Sequence, residues 1–162
     1  MANTFWGRTC CMRLKDREIT DVKEMESILE KGQVCHLGLS MDGQPYVVPM
    51  NYGYRDGYLY LHSAPMGQKV DMARKNPKVC FEVDVDVEVF SDPEPCEWGC
   101  RYQSVIGTGW VEFLDKIEEK SEALNVLMEH YAGKSFEFPP QALSRVLVWK
   151  VKVDTLTGKK YK

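Results

Sequence analysis

No stretch of this chain approaches the roughly 20 consecutive apolar residues that a bilayer-spanning helix needs. Nor does the beginning carry an apolar h-region; a basic stretch from Arg8 to Arg17 lies there instead. The reading therefore expects a cytoplasmic protein with no membrane partner. An excess of positive charge is also missing. The chain has 21 Lys and Arg against 24 Asp and Glu, a net charge of -3 and a pI near 5.7. Neutralising phosphates needs a basic surface, so nucleic acid is excluded as the main partner. Histidine is scarce: His36, His62 and His130. Zinc wants four well-spaced ligands, and with so few histidines the Cys96/Cys100 pair does not suggest a metal site. A phosphate-binding loop, a dinucleotide Gly-rich fingerprint, a nucleophile elbow and a two-histidine zinc helix are all lacking.

Six cysteines are present. Cys35 and Cys80 sit in apolar runs and read as small packed hydrophobes. Cys10 and Cys11 are adjacent, too strained a pair for an ordinary disulfide. Free thiols suit a reducing compartment.

With 162 residues, 44% apolar and 28% charged, the chain reads as one ordinary globular domain. Residues 1–19 are polar and aperiodic, an N-terminal arm before a single domain over 20–162. Asp21 with Glu24 opens a helix as a capping box, Val22, Met25, Ile28 and Leu29 form its stripe, and Gly32 stops it. Strands are expected over 33–40, 46–54 and 58–62, joined by Asp42-Gly43 and Arg55-Asp56-Gly57 turns. Pro49 inside the second implies an edge or a bulge. A short helix over 66–75 ends at Asn76-Pro77. Over 78–89, Phe81, Val83, Val85, Val87 and Val89 alternate with acids, whose face reads as solvated. Residues 91–98 read as a loop and 102–114 as a strand with a bend or close approach at Gly107 and Gly109. Asp115 with Glu118 opens a helix lined by Ile117, Leu124, Leu127, Met128 and Tyr131. A last strand runs over 145–154. The pattern predicts a mainly β fold: six antiparallel strands in a small closed or nearly closed barrel, with about three helices.

Chemistry concentrates in His62-Ser63-Ala64-Pro65-Met66-Gly67-Gln68-Lys69, between a strand end and a helix start. A hydroxyl, free backbone amides and a lysine at a helix N-terminus can seat a phosphate. A turn serine and a solvated lysine are the plainer reading of the same residues.

Five segments together carry a resemblance. They are Pro45 to Tyr52, Tyr60 to Ala64, Gly67 to Lys69, Asn76 to Phe81, and Tyr102 to Gly109. In this order and spacing they resemble the pyridoxamine-phosphate-oxidase-like FMN-binding split barrels, and within them the nitroimidazole-resistance flavoproteins. The resemblance implies a six-stranded split barrel and a homodimer with FMN at the subunit interface. It implies that the strand Val47, Val48, Pro49, Met50, Asn51 and Tyr52 lies along the isoalloxazine ring. It places His62, Ser63, Gln68 and Lys69 at the phosphate end, and Gln103 and Ser104 on the other subunit. Gln68 stands where the phosphate oxidases proper carry arginine, so pyridoxamine-phosphate oxidation is not expected. Trp98, Tyr102 and Trp110 are candidates to cover the ring, while Trp110 and Trp149 also read as core.

The implied function is an FMN-dependent oxidoreductase, passing electrons from a small-molecule donor to a small oxidised acceptor, nitroaromatics among them. His62 would be its catalytic residue, donating a proton or orienting a carboxylate; a strand-end histidine bonded to backbone is the other reading. A non-catalytic flavin-binding or storage protein and a haem-binding split barrel remain open alternatives.

Overall fold

Two aspartate-glycine pairs set the first hairpins. Asp42 and Gly43 have φ of 53° and 81°, and Asp56 and Gly57 have 51° and 80°. Positive φ at both central residues is the two-residue turn whose twist matches antiparallel strands. The computed structural model in which these turns lie describes residues 14–161. Arg8, Cys10 and Cys11 of the expected arm fall outside that range.

A 3-10 turn, Lys15–Arg17, leads into β1, Glu18–Ile19, and then α1, Val22–Lys31. Next come β2, Cys35–Met41, β3, Gln44–Met50, β4, Tyr52–Arg55, and β5, Tyr58–Ser63. Helix α2, Gln68–Lys75, precedes β6, Lys78–Phe90, and β7, Gly99–Leu114. Helices α3, Ile117–Ala132, and α4, Pro140–Ser144, precede β8, Leu147–Tyr161. The eight strands form one antiparallel sheet in the order β3-β2-β6-β7-β8-β5-β4, with β1 added along β8.

The fold is mainly β, as expected, but the strand count is eight rather than six. One extra strand is β1, where the end of the supposed arm pairs Glu18 with Lys159 and Ile19 with Gly158. The other arises because the strand expected over 46–54 breaks at Asn51. Its halves, β3 and β4, lie at opposite edges of the sheet. The sheet is therefore not a closed barrel of hydrogen bonds; the chain itself bridges the two edges through Asn51. Pro45 and Pro49 lie in β3, an edge strand, where a missing N–H is tolerated.

Other expectations shift for local reasons. Asp21 caps α1 by accepting from the Lys23 amide at 3.0 Å. The closing Gly32 is extended rather than left-handed, and its missing side chain makes room for Val83 and Tyr52. Alternation along β6 holds through Val85, then fails. Asp86 has φ 55°, the register with β7 shifts there, and Val87 and Val89 are exposed instead of buried. Cys80 faces outward between inward Val79 and Phe81 and is not a core thiol. Buried Cys35 is, and burial pushes its thiol up to about 12. Helix α3 starts one residue late for the expected box: Lys116 takes the cap position with no side-chain bond. Its buried face is Ala123, Val126 and Leu127, while Ile117 and Tyr131 are exposed. The helix lies on β4 and β5. Gly107 and Gly109 flank a register shift against β8, the expected bend.

Trp149, Tyr52, Phe81, Leu37, Leu59 and Leu61 are fully buried at the centre. Each such apolar side chain contributes about 1.5–3 kcal/mol by leaving water. Among the described residues, no helix is long and apolar enough to cross a membrane.

Candidate functional site

The corner at Asn51 organises the site. Strand β3 pairs only with β2, so every second residue directs its N–H and C=O away from the sheet. Those edge groups can bond the rim of a flat heterocycle. Side chains alternate: Val47, 65% exposed, Pro49 and Asn51 face out, Val48 is half-buried, and Met50 faces the core. Tyr52 is fully buried and donates its hydroxyl to the Leu29 carbonyl at 2.5 Å. Burial pushes its phenol far up, so it acts as a neutral structural donor. Its amide donates to the Tyr131 hydroxyl at 3.1 Å, and that hydroxyl donates to the Gln33 carbonyl at 2.6 Å. Beside it His130 Nε2 donates to the Gly32 carbonyl at 2.7 Å. The C-terminal end of α3 thereby pins the corner. Sequence reading missed this clamp, because it joins residues about a hundred positions apart.

The corner brings β3 to the end of β5. Tyr52 pairs with Leu61, so Asn51 and His62 are the next residues along the two strands. Alternation points Ser63 into the core and His62 outward. Ser63 Oγ accepts from Trp149 Nε1 at 2.9 Å and donates to the Ala64 carbonyl at 2.7 Å. His62 stands near Lys69. Partial desolvation first, and then the Lys69 ammonium, hold its imidazole below the ordinary 6.5. Gly67 leads into α2 with φ 124°, a conformation that side chains rarely adopt. The first amides of α2 have no intrahelical acceptor, and exposed Gln68 and half-buried Lys69 stand beside them. An anion placed there meets amides, a lysine and the positive end of the helix dipole.

Gln103 and Ser104 do not join this group within one chain. They lie on β7, three strand intervals of about 4.8 Å each from β3. Gln103 Nε2 donates to Asp86 Oδ2 at 2.7 Å, and Ser104 pairs with Asp84. Of the aromatic candidates, Trp98 is exposed and bonded to the Asp92 carbonyl. Trp110 is half exposed, its N–H on Asp154, and is not core; Trp149 is fully buried.

A polar cavity of about 470 Å³ opens elsewhere, between α1, β4 and α3. Glu26, Glu30, Asp56 and Glu129 line it, so it repels a phosphate. Its Tyr54 hydroxyl donates to Glu26, and Arg55 is paired with Glu129.

Comparison with known proteins supports the family and the fold. The family model described as pyridoxamine 5'-phosphate oxidase matches residues 21–160. A crystal structure of a candidate 5-nitroimidazole antibiotic resistance protein from Bacteroides thetaiotaomicron VPI-5482 is 39% identical. The match covers 88% of this chain and 85% of that one, with a TM-score of 0.79. A FAD-binding protein from Mesorhizobium loti is 29% identical over 90% of this chain and 98% of that one, with a TM-score of 0.67. An uncharacterized protein of Rhizobium meliloti (strain 1021) is 38% identical over 61 residues, which is 38% of this chain and 40% of that relative's length.

Proposed function

The chain belongs to the pyridoxamine 5'-phosphate oxidase family, and on that premise we propose that it is an FMN-binding homodimer and a flavin-dependent oxidoreductase. The electron donor would be a small reduced molecule and the acceptor a small oxidised one of the nitroaromatic kind. The single observation that carries this reading is the corner at Asn51. It sets a free strand edge, suited to a flat ring, beside an amide-and-lysine anion seat at the start of α2. A flavin mononucleotide has that pair of features, a planar heterocycle and a phosphate. The resistance-protein relative at 39% identity supports the acceptor class, and the FAD-binding relative at 29% supports a flavin.

Bound flavin would supply two-electron transfer between donor and acceptor. The chain's own residues would do the rest. Outward backbone groups of β3, from Val47 to Asn51, would bond the ring's polar rim. Lys69 would pair with the phosphate, with Gln68 beside it. Ser63, bonded to Trp149, would hold the strand end that aims these groups. Gln103 and Ser104 lie out of reach in the same chain, so a two-fold-related copy would bring them to the site. His62, neutral near pH 7, would accept a hydrogen bond there and deliver a proton to the acceptor once protonated.

The test is stopped-flow reduction of the flavin-loaded protein by a nicotinamide donor, followed by mixing with a nitroaromatic under anaerobic conditions. Reduction and then reoxidation in step with nitro-group loss is expected. A bound flavin that neither reaction touches would leave a storage protein instead.

A further inference from the structure

The outer face of the sheet holds a constellation to which the flavin reading gives no role, although it adjoins two residues of that reading: His36 lies across the ladder from Pro49 and Asp84 from Ser104. His36 on β2 pairs directly across the ladder with Glu82 on β6. Its Nδ1 lies 3.2 Å from Glu82 Oε2. Asp84 is two residues further along β6, on the same outward face. One ligand atom from each of the three lies within 4.8 Å of the other two. We propose that His36, Glu82 and Asp84 form a binding site for a divalent transition-metal ion.

Geometry supports it first. Nitrogen and oxygen ligands about 2.0–2.2 Å from a metal lie roughly 3–4 Å from one another. The His36–Glu82 separation already falls in that range, and an Asp84 carboxylate oxygen lies within 4.8 Å of both. The backbone does the aligning, because direct register holds the His and Glu stems side by side and the strand repeat places Asp84 next to them.

Charge supports it second. Two carboxylates share this small patch, and among the described residues neither is in an ion pair with a lysine or arginine. Nearby acids are treated differently: Asp86 pairs with Lys31, and Glu88 with Arg101. The one basic group at the cluster is an imidazole, which ligates metals when neutral. A dication would balance both carboxylates at once.

The ligand set selects the ion. An imidazole with two carboxylates suits Mn2+, Fe2+ or Zn2+ rather than Cu(I), which prefers sulfur. In the single chain His36 and Glu82 are 46% and 34% exposed, which leaves room for water to complete the coordination. Sequence reading could not find this set, since 46 residues separate His36 from Glu82 and only the ladder joins them.

The test is a titration of the purified, chelator-treated full chain with Mn2+, followed by the loss of the free-ion paramagnetic resonance signal. Mn2+ favours oxygen and nitrogen, so Cys96 and Cys100 compete little for it. One bound ion per chain is expected. His36→Gln and Asp84→Asn should each weaken binding about tenfold or more, as loss of a metal-site group does. Glu112→Gln removes an exposed acid elsewhere on the sheet and should change nothing. Near-ultraviolet circular dichroism checks that each variant is folded. A wild-type chain that takes up no Mn2+, or folded His36 and Asp84 variants that bind as tightly as wild type, overturns the site. Because the readout is Mn2+ and not flavin, failure of this site and failure of the flavin reading are distinguishable.

Discussion

Trp149 donates its indole N–H to the Ser63 hydroxyl oxygen 2.9 Å away, inside the core. The bond ties the end of β5, where the anion seat begins, to the strand that runs beside it. Ser63→Ala leaves that N–H buried and unpaired, which costs about 1–3 kcal/mol. A chemical-denaturation midpoint, measured without flavin, should fall accordingly. An unchanged midpoint would mean the indole finds another acceptor.

Lys69→Ala separates phosphate binding from ring binding. A charge-assisted hydrogen bond contributes about 1.5–3 kcal/mol, so FMN affinity should drop by one to two decades. Riboflavin, which lacks the phosphate, should bind nearly as before. Fluorescence titration with both ligands checks this. Equal losses would make Lys69 a support for the fold instead.

His62 carries the pH dependence. Its folded value lies below the ordinary 6.5 because of partial desolvation and then Lys69. The unfolded chain therefore binds its proton more readily. The stability this residue contributes is present above about 6.5 and is lost as pH falls through the lower folded value. In a proton NMR titration of the flavin-free protein, the His62 resonance should move below pH 6.5. Lys69→Gln should bring the midpoint up. In turnover with a nitroaromatic, His62→Ala should keep FMN bound and lose most rate at acid pH, where the wild-type imidazolium donates.

How much of this was legible follows from range. The hairpin turns, the α1 cap and the buried stripe of β6 as far as Val85 rest on neighbours a few residues apart, and the sequence shows them. The break at Asn51 does not look like a break, because Tyr52 to Tyr54 continue as strand; only the closure of the sheet assigns them a different edge. The exposure of Val87 and Val89 depends on a bulge at Asp86, an aspartate with positive φ that no pattern marked. Local order alone puts His62 and Lys69 together. The inward turn of Ser63 onto Trp149, 86 positions away, needed the β5–β8 register.

Tyr131→Phe probes the clamp on the corner. It removes the acceptor for the Tyr52 amide and the donor to Gln33. Losing the partner of a half-buried amide should cost about 1–3 kcal/mol. Thermal unfolding should show a lower midpoint, and flavin affinity should fall with it because the β3 edge is no longer held. A variant with lower stability but full affinity would show that the clamp serves the fold alone.

The shared flavin site is tested most directly by size-exclusion chromatography of the FMN-loaded protein, with light scattering and visible absorbance read on the same peak. The expected result is a species of about twice the 18.7 kDa chain mass, carrying flavin absorbance equivalent to one FMN per chain. A peak at 18.7 kDa that retains its full flavin, or a dimer that takes up no FMN, would contradict the account.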